Sequence, residues 1–488
     1  MSPYFDGLWL VRLLFQRGLS FLYLVAFLST LNQFPTLLGE RGFLPVRHFL
    51  DRVRFRDAPS LFHWRYSDRL LRIVASTGAA LSALTLLGIT ERMPLPAYMA
   101  VWLVMWALYL SIVNVGQTFY GFGWESMIVE AGFFAAFLGP RHYAPPVIVI
   151  LIFRWMLFRV EFGAGLIKLR HDQCWRDLTC LYYHYETQPL PNATSWYFHR
   201  LPKPFHRFSV AYSHFVQVFV PIFVFAPQPV ASIAAAFLIS QQLLLIVSGN
   251  YSWLNWLTLV LGITAFSDSA LAPVLPLAIP STFTHSAVYD WVLYALAVGT
   301  IALSIKPLLN LFSRNQLMNY SWNRYHLVNA YGAFGSMTRQ RYEIVLEGTD
   351  APIVNAGTHW KPYEFKGKPG DPMRRPSQVA PYHLRLDWLM WFLPFSVRVL
   401  GNRVVLPGYE MWFIRFVRNL LQNEPQTLKL IRHNPFPERP PQYIRASYYL
   451  YEYTSAAEKR ESGAWWKRTF VDYYLPPVSM AALDAAMG

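Results

Sequence analysis

Three charged residues in an otherwise apolar stretch are the residues of this chain best placed to do chemistry inside a membrane. Arg154, Glu161 and Lys168 follow one another at intervals of seven in RWMLFRVEFGAGLIKLR, so a helix would bring them to one face. A charge at membrane depth is costly unless it is paired or lines a cavity, which makes such residues functional candidates. The structural alternative is that Glu161 pairs with Arg154 or with a neighbouring helix, while Lys168 extends to the interface.

The chain has two cysteines, and both lie in the hydrophilic segment HDQCWRDLTCLYYHYETQPLPN (residues 171–192). Cys174 and Cys180 are close enough in sequence for a disulfide in an oxidising compartment. Free thiols are a second interpretation, and a metal held together with His171 or His184 is a third. Of the three interpretations we favour the disulfide, and we predict no metal or cofactor site.

Two carboxylates, Glu125 and Glu130, lie in GFGWESMIVEAGF (residues 121–133) behind a glycine-rich turn. Residues five apart are separated by about 140° around a helix, so the two side chains do not converge as an acid–base pair. The favourable field at a helix start accounts for Glu125. Glu130 has no such explanation and stays a candidate.

His326 and Asn329 lie in NRYHLVNAYGAFGSMTRQRYE (residues 323–343), ahead of a glycine turn and a predicted strand. Such a loop could bind a ligand. It could equally be a tight connection between a membrane helix and a sheet, and this structural role is the one that we favour.

Motifs of the common enzyme classes are missing from the sequence: it contains no HExxH, no GxSxG and no Walker loop. Hydrolase, zinc peptidase and NTPase chemistries therefore lack support. Several histidines around residues 168–215, His184 among them, keep an enzyme hypothesis open.

Composition identifies the setting in which these residues act. Of 488 residues, 54% are hydrophobic and 15% are charged, whereas a soluble domain carries about 25% charge. A water-soluble chain is thereby excluded. The net charge of +15 is better explained by anionic lipid headgroups than by nucleic acid.

Long apolar runs predict a polytopic α-helical membrane bundle of about nine spans, or fewer. The bundle occupies residues 1–305, and a soluble α+β domain occupies residues 306–488. The predicted spans are 13–31, 70–90, 97–113, 124–139, 144–162, 208–226, 229–248, 251–267 and 287–305.

An odd number of spans would place three hydrophilic segments, 32–69, 168–207 and 306–488, on one face of the membrane. The arginine-rich segment 32–69 predicts that this face is cytoplasmic. A disulfide in segment 168–207 would place the same face in a lumen or periplasm. The residues alone do not decide between a cytoplasmic and a luminal or periplasmic face.

Within residues 306–488, alternating and amphipathic patterns predict strands at 339–348 and 442–453 and helices at 383–393 and 409–422. Tyrosines recur along the second strand. Alternation places four of them on one face and Tyr448 on the other, so we expect some to offer exposed contact area, although an ordinary sheet core is the alternative. The five tyrosines are Tyr443, Tyr448, Tyr449, Tyr451 and Tyr453.

Long ordered segments of the chain resemble the lipase maturation factor family. They include GFGWESMIVEAGFFAAFLGP, FRVEFGAGLIKLRHDQCWRDLTCLYYHYETQPLPN, NRYHLVNAYGAFGSMTRQRYEIVLEGTD and LLQNEPQTLKLIRHNPFP. The resemblance covers residues 20–455. It implies a multi-pass membrane protein of the endoplasmic reticulum, or of the inner membrane in a bacterium.

The resemblance also implies a folding factor, without enzymatic activity of its own, for secreted lipase-like client proteins. The tyrosines above would then contact the client, and membrane lipids would be the other partners. The competing interpretation is a membrane enzyme, similar to vitamin K-dependent carboxylase-like or lipid-modifying proteins, with Lys168 and His184 at the interface as its bases.

Overall fold

The computed structural model describes residues 6–400 and 403–487. The described chain up to Phe312 is mostly helical, because a helix satisfies the backbone hydrogen bonds of a long apolar run within the run itself; Pro35 and Pro307 are accommodated inside two of these helices. Its α-helices are α1 (Trp9–Leu38), α2 (Val46–Leu50), α3 (Asp68–Leu86), α4 (Leu95–Asn114), α5 (Gly123–Ala135), α6 (Val147–Arg170), α7 (Gln173–Arg176), α8 (Leu181–Thr187), α9 (Ser195–His199), α10 (Lys203–His214), α11 (Val230–Ser248), α12 (Leu254–Ile263), α13 (Asp268–Leu271) and α14 (Ala287–Phe312).

Six helices of the described chain are long and apolar enough to cross a membrane. The predicted count of nine is not confirmed. The runs at 124–139 and 251–267 correspond to α5 and α12, which have only 13 and 10 residues, and α6 carries charges along its length. A short apolar run in a buried helix looks like part of a span when it is read from sequence. The six are α1, α3, α4, Lys203–Phe225, α11 and α14.

Helix α1 is the central helix of the bundle, and α14 lies at its periphery. In the most apolar window of α1, 61% of the residues are buried, against 17% for α14. Close packing around α1 depends on small neighbours. A Cβ on Gly78 of α3 would lie 2.3 Å from the Phe27 ring, so only glycine lets the two helices approach this closely.

The C-terminal part contains a four-stranded antiparallel sheet in the order β2-β1-β5-β6. Strands β1 and β5 lie where the alternating patterns predict them. The elements are β1 (Arg341–Thr349), β2 (Lys361–Pro362), α15 (Arg385–Phe392), β3 (Arg398–Leu400), β4 (Arg403–Val405), α16 (Met411–Leu421), α17 (Pro425–Leu428), β5 (Tyr443–Tyr453), α18 (Ala456–Ser462), β6 (Trp466–Val478) and α19 (Met480–Met487).

Each face of this sheet is covered over part of its area. One face buries Ile344, Leu346 and Ile444 in the main core, together with the apolar side of α16. On the other face, Trp196 of α9 and Trp466 form a smaller core with neighbouring strand residues. The segment between α6 and α10 therefore serves as a second layer over the sheet.

The three hydrophilic segments predicted to share a face meet in the structure. Gln33 donates to the His383 carbonyl at 2.7 Å, and Arg415 donates to the Phe43 carbonyl at 2.9 Å. Arg341, the first residue of β1, donates to the Glu186 carbonyl at 3.0 Å. These contacts fix the sheet-containing part against one end of the bundle.

Candidate functional site

A cavity of about 750 Å³ lies where the helical bundle meets the C-terminal part. Helices α5, α6, α11, α12 and α15 contribute to its lining, together with the loop after α14. Its walls are mostly apolar and aromatic, with a few polar groups. Cavities of this size and composition are the usual form of a small-molecule site.

The polar end of the cavity is a chain of four side chains that joins α6 to two neighbouring segments. Lys168 Nζ donates to Gln217 Oε1 at 2.6 Å, and Gln217 Nε2 donates to Glu161 at 3.0 Å. Gln242 Nε2 donates to the other Glu161 oxygen at 2.7 Å. Lys168 is buried, so its ammonium lies inside the protein and not in solvent. The alternative in which it extends to the interface stays a prediction.

Close approach between α6 and its neighbours depends on the predicted small residues of the sequence GAG. A Cβ on Gly163 would lie 2.3 Å from the Tyr331 carbonyl oxygen, and one on Gly165 would lie 2.9 Å from the Gln217 carbonyl oxygen. Gln217 itself sits in a π-helical turn, Phe215–Phe219. Such turns re-aim side chains and are frequent at functional sites.

Arg154, although on the same helix, does not belong to this chain of side chains. Its guanidinium donates to the Thr264 carbonyl at 2.8 Å and to the Val224 carbonyl at 3.0 Å. Glu161 is instead held by two amides. The structural alternative offered Glu161 either Arg154 or a neighbouring helix as its partner. Arg154 is not that partner, because two turns of helix separate the two residues, and Glu161 is held by neighbouring segments.

Glu125 forms a buried ion pair with a residue far along the chain. Arg385 Nη1 lies 2.6 Å from Glu125 Oε1, and both side chains are fully buried. The Tyr109 hydroxyl donates to the other oxygen at 2.6 Å, and His383 Nδ1 lies 3.7 Å away. Glu125 is therefore a fixed link between α5 and α15, beyond the helix-start role predicted for it.

Glu130 has a comparable partner set on the next turn of α5. Arg159 forms a buried ion pair with it, and the Tyr331 hydroxyl donates to Oε2 at 2.8 Å. Asn329 donates to the same oxygen through both its backbone and its side-chain nitrogen, each at 2.9 Å. The predicted candidates Glu130 and Asn329 thus meet, and their arrangement is a closed structural network.

His326 lies beside this network, where it joins two helices. Its Nδ1 is 3.0 Å from the Ser126 hydroxyl and its Nε2 is 3.0 Å from Asn114 Oδ1. Burial lowers the pKa of His326 to about 4. The imidazole is therefore neutral at physiological pH, and the contacts agree with the favoured structural role of this loop.

Cys174 and Cys180 form a disulfide, with their Cα atoms 4.8 Å apart. Asp172 caps α7 by accepting from the Cys174 backbone N–H at 3.0 Å. Partial burial raises the pKa of Asp172, but the Arg339 hydrogen bond and backbone N–H groups outweigh this and lower it to about 2. The disulfide segment is thereby tied to the residues that lead into β1.

His184 hydrogen-bonds to Tyr251 and not to Lys168, although Lys168 is near enough to add to the lowering of the His184 pKa that burial causes. Its Nε2 is 2.8 Å from the Tyr251 hydroxyl, and burial lowers the pKa of His184 to about 3. Among the described residues, Lys168 lines the cavity and His184 does not. A pair of cooperating bases at Lys168 and His184 therefore finds no geometric support.

The exposure of the β5 tyrosines differs from what the client-contact prediction requires. Tyr448, Tyr451 and Tyr453 are buried, while Tyr443 and Tyr449 are partly exposed. Alternation places the tyrosines on two faces as expected, but other elements cover part of each face. Three of the five are thus corrected from contact residues to core residues.

Sequence reasoning missed the partners of the charged residues, namely Arg159, Arg385, Gln217 and Gln242. Two signals were available. Arg159 lies within an apolar run, and Gln217 and Gln242 are amides within predicted spans. Polar residues at such depth require partners, although the sequence does not identify which.

The fold and this site define a class of protein: a membrane protein of many helices whose buried charges hold a sheet-containing part against one end of the bundle. Matches to models of known protein families identify the family within this class. The lipase maturation factor transmembrane domain matches residues 10–273, and the lipase maturation factor C-terminal domain matches residues 327–476. The chain belongs to the lipase maturation factor family.

Relatives agree along nearly the whole length. Lipase maturation factor 1 of Bos taurus is 39% identical over 515 residues, covering 96% of this chain and 89% of the relative. The Homo sapiens protein of the same name is 39% identical over 97% of this chain and 89% of its own length. Lipase maturation factor 2 of Xenopus laevis is 30% identical, over 96% and 82%. No solved structure matches.

Proposed function

We propose that this protein is a membrane-bound maturation factor that assists the folding and assembly of secreted lipases. Its membership in the lipase maturation factor family supports the role, since the relatives carry that name. The structural support is a surface on the sheet that is suited to holding a partly folded protein.

The arginine–aromatic surface consists of Trp360, Arg445, Tyr449, Arg468, Phe470 and Tyr473. It lies on the part of the sheet face that Trp196 does not cover. Phe470 is 48% exposed, and its ring lies 5.6 Å from that of Tyr449 and 5.2 Å from that of Tyr473. Tyr449 is thus the one predicted client-contact tyrosine that belongs to it.

Two arginines hold this surface in a fixed arrangement. Arg445 lies 4.3 Å over the Trp360 ring and donates to the Tyr473 hydroxyl at 3.2 Å. Arg468 lies 4.8 Å over the Tyr449 ring. Rigid aromatic and arginine side chains dominate the binding energy of protein interfaces, so this surface is our candidate for the client contact.

The test is co-expression of a secreted lipase with this chain in cells that lack their own lipase maturation factors. We expect a rise in lipase activity per mass of secreted enzyme. The variant Tyr449→Ala/Phe470→Ala should lose most of that rise, because each truncated anchor costs on the order of 1–2 kcal/mol of client binding.

Ile353→Ala is the matched control, since Ile353 is 73% exposed and lies outside the surface. It should leave lipase activation unchanged at equal protein levels. If the double variant activates the lipase as well as the control does, the arginine–aromatic surface is not the client contact. No rise with the unaltered chain would remove the lipase role itself.

The proposal also fixes a side of the membrane. A client that is secreted must meet the surface in the lumen of the endoplasmic reticulum, or in the periplasm of a bacterium, and a disulfide persists in the same compartments. A thiol reagent should label Cys174 and Cys180 only after reduction, and a reporter fused after residue 488 should give the luminal signal. A cytoplasmic reporter signal would contradict the proposal.

A further inference from the structure

The cavity described above is lined by a charged residue, Lys168, that takes no part in the ion pairs of the bundle. Glu125 and Glu130 each bind an arginine directly. Lys168 has no carboxylate within ion-pair distance among the described residues, and its ammonium donates to the neutral Gln217 amide oxygen. Its nearest aromatic contact is the Trp175 ring, 4.8 Å from Nζ.

The nearby carboxylate does not supply the missing contact. Each oxygen of Glu161 accepts from an amide, one from Gln217 and the other from Gln242, and the Lys168 ammonium lies beyond ion-pair distance of both oxygens. A buried ammonium has three N–H donors, and one of them is used by Gln217. A buried charge is stable when further hydrogen bonds satisfy it, so an anionic oxygen in the cavity would complete the environment of Lys168.

A second polar group lines the same cavity without a partner. The Asn255 side chain is only 4% exposed, lines the cavity, and has no hydrogen-bond partner among the residues that the structure describes. Buried amides are normally satisfied. Asn255 and Lys168 therefore each indicate a ligand that accepts hydrogen bonds.

Most of the remaining lining is apolar or aromatic, with the exposed carboxylate of Glu410 among the exceptions. Trp124, Met127, Phe334 and Trp388 are among the wall residues. The volume of about 750 Å³ lies within the range of about 300–1,000 Å³ typical of small-molecule sites. An apolar chain with an anionic head matches both parts of the cavity.

The rim of the cavity indicates that such a ligand comes from the membrane. Met318 and Phe392 line it and are both more than 40% exposed. Met318 follows α14, the helix whose apolar surface is least buried within the molecule. Arg170 is the last residue of α6, two positions after Lys168, and it donates to the Leu311 carbonyl near the end of α14 at 2.8 Å. Lys168 therefore lies near the level where α14 ends.

We propose that this cavity binds a single-chain acyl amphiphile with an anionic head, whose oxygens are held by Lys168 and Asn255. A fatty acid carboxylate and a lysophospholipid phosphate share this chemistry. The inference does not depend on the lipase role, because it rests on the cavity and its unpaired polar groups.

The test uses the full-length chain in detergent micelles with cis-parinaric acid as the probe, since tryptophans in the cavity wall would transfer excitation to a bound polyene. Oleate and oleoyl lysophosphatidate should displace the probe, and the more effective of the two identifies the source. Oleyl alcohol, which has the same chain and no charge, should be about 10- to 100-fold weaker, the difference expected for one charge-assisted hydrogen bond.

Variants distinguish the contribution of the anionic head to binding from that of the apolar chain. Lys168→Met should lower oleate affinity by about 10- to 100-fold and leave that of oleyl alcohol unchanged. Ala164→Phe, on the cavity wall, should abolish binding of both. Lys306→Met makes the same chemical change on exposed α14 and should have no effect.

Three outcomes would overturn the proposal. One is equal affinity of the unaltered protein for oleate and oleyl alcohol, a comparison that needs no variant to fold. Another is unchanged oleate binding by Lys168→Met. The third is displacement of the probe by an apolar client-derived peptide but by neither anionic lipid, which would make the cavity a peptide site.

Discussion

Replacing Arg385 with methionine tests whether one buried ion pair holds the two parts of the molecule together. The change removes the partner of Glu125, whose carboxylate has no exposed surface. At 2.6 Å, two unit charges attract each other by about 6 kcal/mol at an effective dielectric constant near 20. Breaking such a pair costs about 3–5 kcal/mol, because one charge is left buried and unpaired.

The assay is denaturation of the full-length chain by sodium dodecyl sulfate in mixed micelles, followed by tryptophan fluorescence. Arg385→Met should lose about 3–5 kcal/mol of the free energy of unfolding. Glu125→Gln/Arg385→Met should lose less than the sum of the two single changes, since no charge is left buried.

Arg418→Met is the matched control. Arg418 pairs with Asp484 at 3.1 Å, but both side chains are more than a third exposed, so its loss should cost at most about 1 kcal/mol. The reasoning is refuted if Arg385→Met costs no more than this control, or if the two single changes at the buried pair are additive.

Three further predictions concern other parts of the molecule. Cys174→Ser should cost about 2 kcal/mol, the entropy of closing a short loop, measured by the same denaturation. Burial lowers the pKa of His184 to about 3 and that of His383 to about 4, so both are neutral in the fold. The two neutral histidines therefore contribute fully to the free energy of unfolding above about pH 6.5. As the pH falls toward 4, this contribution is lost at about 1.4 kcal/mol per group and pH unit. The midpoint of the denaturation should be lower at pH 5.5 than at pH 7.5, and equal midpoints would contradict the prediction. Gly78→Ala should cost about 1–3 kcal/mol, because its methyl would overlap the Phe27 ring, whereas Gly299→Ala, with open space around it, should not destabilise.

Local patterns predicted the elements of the C-terminal part well. The alternating run 339–348 is β1 at Arg341–Thr349, and the run 442–453 is β5 at Tyr443–Tyr453. Periodicity of two or 3.6 is a property of neighbouring residues, so it can be read without knowledge of the fold.

The partners of the charged residues could not be predicted in this way. Glu125 and Arg385 are 260 positions apart, and no local pattern joins them. The burial of Tyr451 and Tyr453 has a similar cause, because Trp196 from a distant helix covers their face of the sheet. Residue types identified which side chains needed partners, and the tertiary structure determined which partners they have.

The distance along the chain between Glu125 and Arg385 has a consequence for biosynthesis. A ribosome adds about 5–20 residues per second, so roughly 15–50 s pass between the synthesis of the carboxylate and that of its counter-charge. Throughout this interval α5 carries an acidic group that the nascent bundle alone leaves unneutralised. The ion pair at Glu125 is therefore complete only after α15 has been made, and a chain that stopped before residue 385 would leave this buried carboxylate without its arginine.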